Sequence, residues 1–123
     1  MKPYEVLTVC GCEYHLKFTT ANAVKLEEML NTDLLSGLDK LAEIKVLANY
    51  YYMAAVSLND NINKIEDVYQ LFDDYITEGG TYDALQKLII EVLVTSGIMS
   101  KEVHEASKKA MEKQLEALKK LLN

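Results

Sequence analysis

The chain has 123 residues, with 13 lysines and no arginine against 19 acids, so its formal net charge is -6; half of it is apolar or aromatic and 26% is charged. That composition is globular, and the length suits one domain with a modest core, too short for an enzyme with a cleft between two domains. The acidic balance excludes a general nucleic-acid binder, which needs a basic face to displace counterions, and without arginine no guanidinium fork is available for phosphate or guanine edges.

Met1-Lys2-Pro3-Tyr4-Glu5 places an acid where the apolar core of a secretory leader begins. The most apolar windows, residues 46–58 and 85–94, fall short of the about 20 residues that span a bilayer. No membrane partner is expected. Cys10 and Cys12 are read as free thiols in a reducing, cytoplasmic setting.

Residues 4–18 read as a β-hairpin. Tyr4, Val6, Thr8 and Val9 are strand formers, as are Tyr14, Leu16 and Phe18, and Gly11 supplies the positive φ of a tight turn. With Cys10 and Gly11 as the loop, Leu7 faces Tyr14 and Val9 faces Cys12, while Glu13, His15 and Lys17 point away from the apolar face. A lone hairpin is marginal in water, so it must pack on the helices that follow.

Thr19 or Thr20 caps a helix over 21–30, with Ala23, Leu26 and Leu30 inward. Asn31-Thr32-Asp33 breaks it and caps a short turn through Leu34 and Leu35, which Gly37 punctuates. A helix over 38–58 follows. Its stripe is Leu41, Ile44, Ala48, Tyr51, Ala55 and Leu58, with Val46, Tyr50, Met53 and Val56 beside it. A helix apolar nearly all round is central in its fold or covered by another chain. Asn63 with Glu66 forms a capping-box-like start to a helix ending near Thr77, with Ile65, Val68, Tyr69, Phe72, Tyr75 and Ile76 inward. Gly79-Gly80 stops it, Thr81 caps the next helix (82–95, packed through Leu85, Leu88, Ile89, Val92 and Leu93), and Gly97 takes the C′ position with Ile98 as its apolar companion.

Ser100 caps the final helix, to about Leu122. Residues 61–99 carry a net of -5 and residues 100–123 a net of +2. Met111, Leu115, Leu118 and Leu122 follow heptad-like steps along a polar helix that projects or docks on a partner. The expected fold is therefore mostly α (α+β): an N-terminal hairpin on about five helices in residues 1–99, and a long C-terminal amphipathic helix in 100–123.

Chemistry-bearing patterns are sparse. Cys10-x-Cys12-x-x-His15 has soft-metal donors, but strand alternation puts Cys12 and His15 on opposite faces and no fourth ligand lies nearby, so no metal and no cofactor is expected. His15 and His104 accompany no recognisable nucleophile. Asp73 and Asp74 sit on the outward face of a helix, and no Asp-x-Asp-x-Asp-Gly calcium loop occurs. Gly79-Gly80 lacks the Lys-Ser/Thr of a phosphate loop. Tyr50-Tyr51-Tyr52 spans about 200° of helix azimuth, so the three cannot share one core face. Tyrosine suits interfaces, since it offers area and a hydroxyl at small entropic cost.

The succession of a short hairpin into Tyr14-His-Leu-Lys-Phe-Thr-Thr20, then Ala23-Val-Lys-Leu-Glu-Glu28, Asp67-Val-Tyr-Gln-Leu-Phe-Asp-Asp-Tyr-Ile-Thr-Glu-Gly-Gly-Thr81 and Leu88-Ile-Ile-Glu-Val-Leu-Val-Thr-Ser-Gly97 resembles the tail assembly chaperones of siphophages and prophages of low-GC Gram-positive bacteria. The resemblance covers residues 4–99, carried mostly by 67–97. The basic final helix is less typical, and Cys10-Gly11 stands where the family often has Asp-Gly. The resemblance implies a non-enzymatic protein of the host cytoplasm, absent from the mature virion. It would bind the tape measure protein, keep it soluble and help recruit tail-tube subunits. A longer frameshifted form is also implied, and Lys119-Lys120 marks where an adenine run would lie. The residues expected to meet partners are Tyr50, Tyr52 and Met53 on the central helix, and Met111, Leu115, Leu118 and Leu122 on the last. A homo-oligomer is expected, because the central helix is too apolar for so small a body to cover. The alternatives are a virion structural component such as a head–tail connector, a small helical interaction or regulatory protein, and a thiol- or metal-dependent enzyme built on Cys10 and Cys12.

Overall fold

The computed structural model describes residues 3–100, 113 and 116–121. Strands β1 (Glu5–Val9) and β2 (Cys12–Leu16) pair antiparallel, with Leu7 opposite Tyr14 and Val9 opposite Cys12. Cys10 and Gly11 sit at φ 51 and 78, both left-handed. Two positive φ values in a two-residue loop give the turn whose twist matches that of paired strands. Leu7, Val9 and Leu16 are buried, and the outer edge of β2 is closed by a side chain. Asn59 Oδ1 accepts the His15 N–H at 2.9 Å and Asn59 Nδ2 donates to the His15 carbonyl at 2.8 Å. Lys17 N–H continues the edge to the Ala54 carbonyl at 3.0 Å. An amide side chain thus stands in for a third strand, leaving β2 no free edge over that stretch.

Helix α1 (Thr20–Leu30) starts at Thr19, whose hydroxyl accepts the Asn22 N–H at 3.2 Å. It ends at Asn31 in the left-handed region, φ 56. Leu26 faces the core. Asp33 caps α2 (Leu34–Gly37) by accepting the Ser36 N–H at 3.1 Å.

The single helix expected over 38–58 is shorter. Leu38–Lys40 is a 3₁₀ turn and α3 spans Ile44–Ala55. The Leu41 and Glu43 N–H groups bond three residues back, to Leu38 and Lys40 carbonyls, and Glu43 is extended at φ -76, ψ 121. This corner buries Leu41 while turning the chain into α3. Ile44 and Leu58, expected on the inner stripe, are 49% and 42% exposed because they fall at and beyond the ends of the shorter helix.

α3 is central in the fold: α1, α4, α5 and β2 all pack against it. Leu47, Ala48, Tyr50, Tyr51, Met53, Ala54 and Ala55 are buried. Gly37 leaves room for Tyr50, since a Cβ there would lie 2.5 Å from the tyrosine oxygen.

α4 spans Ile65–Thr77. Its start is held by Asp67 rather than Glu66: the Asp67 carboxylate accepts the N–H groups of Asn63 and Lys64 at 2.8 and 3.1 Å. These bonds hold the Asp67 carboxyl below its usual range. Tyr69, expected inward, is 43% exposed, and Leu71 is buried instead, so the inner face is rotated from the expected one. After Gly79 at φ 101, Gly80 N–H closes on the Tyr75 carbonyl.

α5 (Tyr82–Thr95) is capped by Thr81, which accepts the Ala84 N–H at 3.1 Å. Its C-terminus is a Schellman closure with Gly97 at φ 80 and Ile98 N–H bonded to the Leu93 carbonyl at 3.0 Å. The long final helix expected from Ser100 falls mostly outside the described residues and is not shown; of those described, 113 and 116–121 are helical and exposed. Among the described residues, no helix is long and apolar enough to cross a membrane.

Candidate interaction surfaces

The three tyrosines of α3 point to three different carbonyls. Tyr50 donates to the Leu34 carbonyl at 2.6 Å, Tyr51 to the Leu85 carbonyl at 2.6 Å and Tyr52 to the Asn63 carbonyl at 3.1 Å. Tyr50 lies edge-on to Phe18 and Tyr51 edge-on to Phe72, with ring centroids 6.4 and 5.1 Å apart. Burial raises the Tyr50 hydroxyl's pKa, and the charges of Asp33 and Glu27 raise it further; burial does the same for Tyr51.

This placement corrects the expectation that Tyr50 and Met53 meet a partner. Tyr50 is fully buried and Met53 is 4% exposed, because the hairpin and α1 cover that side of α3. Tyr52 is half-exposed, the one tyrosine of the triplet with surface to offer. Leu118 is 58% exposed and its neighbour Leu121 84%. Met111, Leu115 and Leu122 lie outside the described residues.

Cys10 and Cys12 are free and exposed. The Cys10 N–H donates to Glu78 Oε1 at 2.7 Å. Desolvation, and then the neighbouring Glu78, push the Cys10 thiol up, away from the thiolate that a reactive or metal-binding cysteine needs. Among the described residues, no group of three histidines, cysteines or acids converges on a common point. The His15 ring lies tilted by 47° against Tyr4, centroids 4.5 Å apart, and is 4.0 Å from Glu13.

Among the described residues, an open groove has a volume of about 380 Å³. It runs between α1, α2 and the Ser96–Ile98 segment that follows α5. Phe18, Leu34 and Ile98 contribute apolar lining, with Val24 and Leu35 at its rim, 48% and 42% exposed. Glu27 and Asp33 supply its charge. Glu27 Oε2 accepts the Leu34 N–H at 3.2 Å, which fixes the short helix beside α1. The Ser36 hydroxyl and N–H hold the Asp33 carboxyl below its usual range, so it is a carboxylate at neutral pH.

Sequence reasoning missed this groove, although a signal was present. Val24 is out of phase with the Ala23, Leu26, Leu30 stripe, and Leu34-Leu35 are adjacent apolar residues in a helix too short to bury both. The buried Asn22 was also missed. Its amide donates to the Met53 carbonyl at 3.2 Å and to Ser57 Oγ at 2.8 Å, tying α1 to the end of α3.

Comparison with protein-family models, with curated proteins and with solved structures finds no match to this chain.

Proposed function

We propose that the protein is a non-enzymatic tail assembly chaperone that holds the tape measure protein soluble and hands it to tail-tube subunits. The observation that carries the reading is the order of parts. A tight-turn hairpin leads into Thr19-capped α1, and residues 67–97 fold as two helices ended by Gly79-Gly80 and Gly97, in the succession the resemblance implies. The surface supports it too. Large apolar side chains remain exposed at Val24, Met29, Leu35, Ile44, Tyr69 and Leu118. An amphipathic client helix is held by such contacts, and a client that must later be released calls for limited apolar area.

The test begins with the DNA downstream of the gene. A very long helical reading frame there identifies the client. Co-expression with this chain is expected to move that client from the insoluble to the soluble fraction, and the two to co-purify. No such frame, or a client equally insoluble with and without this chain, refutes the reading. A protein retained in purified particles would instead be a structural component of the virion.

A further inference from the structure

We propose that the groove between α1 and α2 is a self-association site, and that its occupant is the C-terminal helical segment 116–121 of a second copy of this chain. The proposal does not depend on the chaperone reading, since it names both halves of the contact within one sequence.

Among the described residues, two apolar surfaces open to solvent are complementary in shape and charge. One is the groove lined by Phe18, Val24, Leu34, Leu35 and Ile98, open to solvent beside the exposed Val24 and Leu35. The other is the helical segment 116–121, all of whose residues are exposed, with Leu118 and Leu121 on one face. Residues three apart on a helix are neighbours, so these leucines form a short apolar ridge of the kind that seats in a groove. Because the ridge is exposed on its own chain, the groove that takes it belongs to another copy. An isolated helix of this length is marginal in water, and docking supplies the packing it lacks.

Charge selects the same pairing. Residues 1–99 carry a net of -8 and residues 100–123 a net of +2, which together give the chain's -6. At the groove the acids are Glu27 and Asp33, with Glu28 beside them where the depression continues past Val24 toward Asn31. Among the described residues the lysine–acid contact is Lys87–Asp83 and the histidine–acid contact is His15–Glu13, so none of these three acids has a salt bridge there. The ridge is flanked by Lys119 and Lys120. Acidic bodies that would otherwise repel one another are thus joined through their basic segment, which fixes which surfaces meet.

The experiment is sedimentation equilibrium of the full chain, with two double variants: Leu118→Asp with Leu121→Asp, which spoils the ridge, and Val24→Asp with Leu35→Asp, which spoils the groove. The parent is expected to self-associate at micromolar concentration, and each variant to need at least tenfold more protein to do so. Mixing the variants restores one intact groove and one intact ridge, and is expected to give a 1:1 complex. All four positions are exposed, and unchanged circular dichroism verifies folding. If a variant unfolds, Lys119→Glu with Lys120→Glu replaces it, with an expected tenfold weakening that added salt reproduces in the parent. A parent that stays monomeric to about 100 µM, an affinity weaker than about -5.5 kcal/mol, would overturn the proposal, and would point to the chain's own body or another protein as the occupant. Variants that associate as the parent does, or a mixture that forms no complex, would overturn it as well.

Discussion

In the sequence, helix α3, apolar nearly all round, and the segment 116–121, an apolar stripe on a polar helix, both look like surfaces waiting for a partner. The structure treats them oppositely. α3 is enclosed by β2, α1, α4 and α5, and its tyrosine hydroxyls reach carbonyls on other elements. In 116–121, Leu118 and Leu121 stand in solvent. The apolar character of a helix measures what must be covered, whereas the number of elements placed around it decides whether the same chain does the covering. A helix in the middle of the sequence, with elements before and after it, is wrapped from both directions.

This contrast is sharpest if α3 is cut. Tyr51→Ala removes a buried ring packed edge-on to Phe72 and is expected to cost about 3–5 kcal/mol, a large share of the stability of a domain this size. Urea denaturation reads it, and a midpoint near the parent's would mean that α3 is not the centre of the core. Tyr51→Phe keeps the ring but removes the hydroxyl's bond to the Leu85 carbonyl, at about 0.5–1.5 kcal/mol.

The same hydroxyls set an alkaline limit. The pKa values of Tyr50 and Tyr51 are raised in the fold above the ordinary tyrosine value of 10.0. The stability they contribute is therefore fully present below pH 10.0 and is lost as the pH rises beyond it. Replacing both by phenylalanine is expected to flatten that alkaline limb, even though the double variant is less stable at neutral pH.

Asn59→Ala should have a smaller effect, about 1–2 kcal/mol for the two bonds to His15. Its sharper signature is local: the His15 amide is expected to exchange with solvent faster than amides bonded between β1 and β2, which hydrogen exchange resolves. Equal protection would mean that the edge of β2 is closed by something other than this side chain. At the other end of the scale, Leu118→Asp is expected to change the stability of the monomer by no more than about 0.5 kcal/mol. A large loss would show that 116–121 packs on its own body, and would erase the contrast with α3.

What the sequence made legible was local. The Cys10-Gly11 turn and its register, the caps at Thr19, Asp33 and Thr81, and the Gly97–Ile98 closure each depend on a few neighbouring residues. They stand where those residues place them. What was not legible depends on distant neighbours. The break at Leu41–Glu43 comes from the need to bury Leu41 while turning the chain. Asp67 outcompetes Glu66 for the α4 cap by geometry that spacing alone does not resolve. The burial of Tyr50 and Met53, the role of Asn59 and the buried Asn22 exist only once the hairpin and α1 lie against α3. The groove itself is a relation between α1, α2 and a segment more than sixty residues further along.

Gly37 and Tyr50 carry one more consequence. A methyl group at position 37 would sit 2.5 Å from the tyrosine oxygen, whereas the ring carbon that bears that oxygen is 3.6 Å away, an ordinary contact. The two positions are therefore inherited as one choice. An alanine at 37 is better tolerated in a lineage that has already exchanged Tyr50 for phenylalanine, with Leu30 Cδ1, 3.1 Å from that methyl, giving way by a few tenths of an ångström, and the reverse order passes through a more strained intermediate. Among divergent descendants of this chain, glycine at the first position and tyrosine at the second should come and go together, a covarying pair by which distant kin could be recognised when overall identity no longer serves.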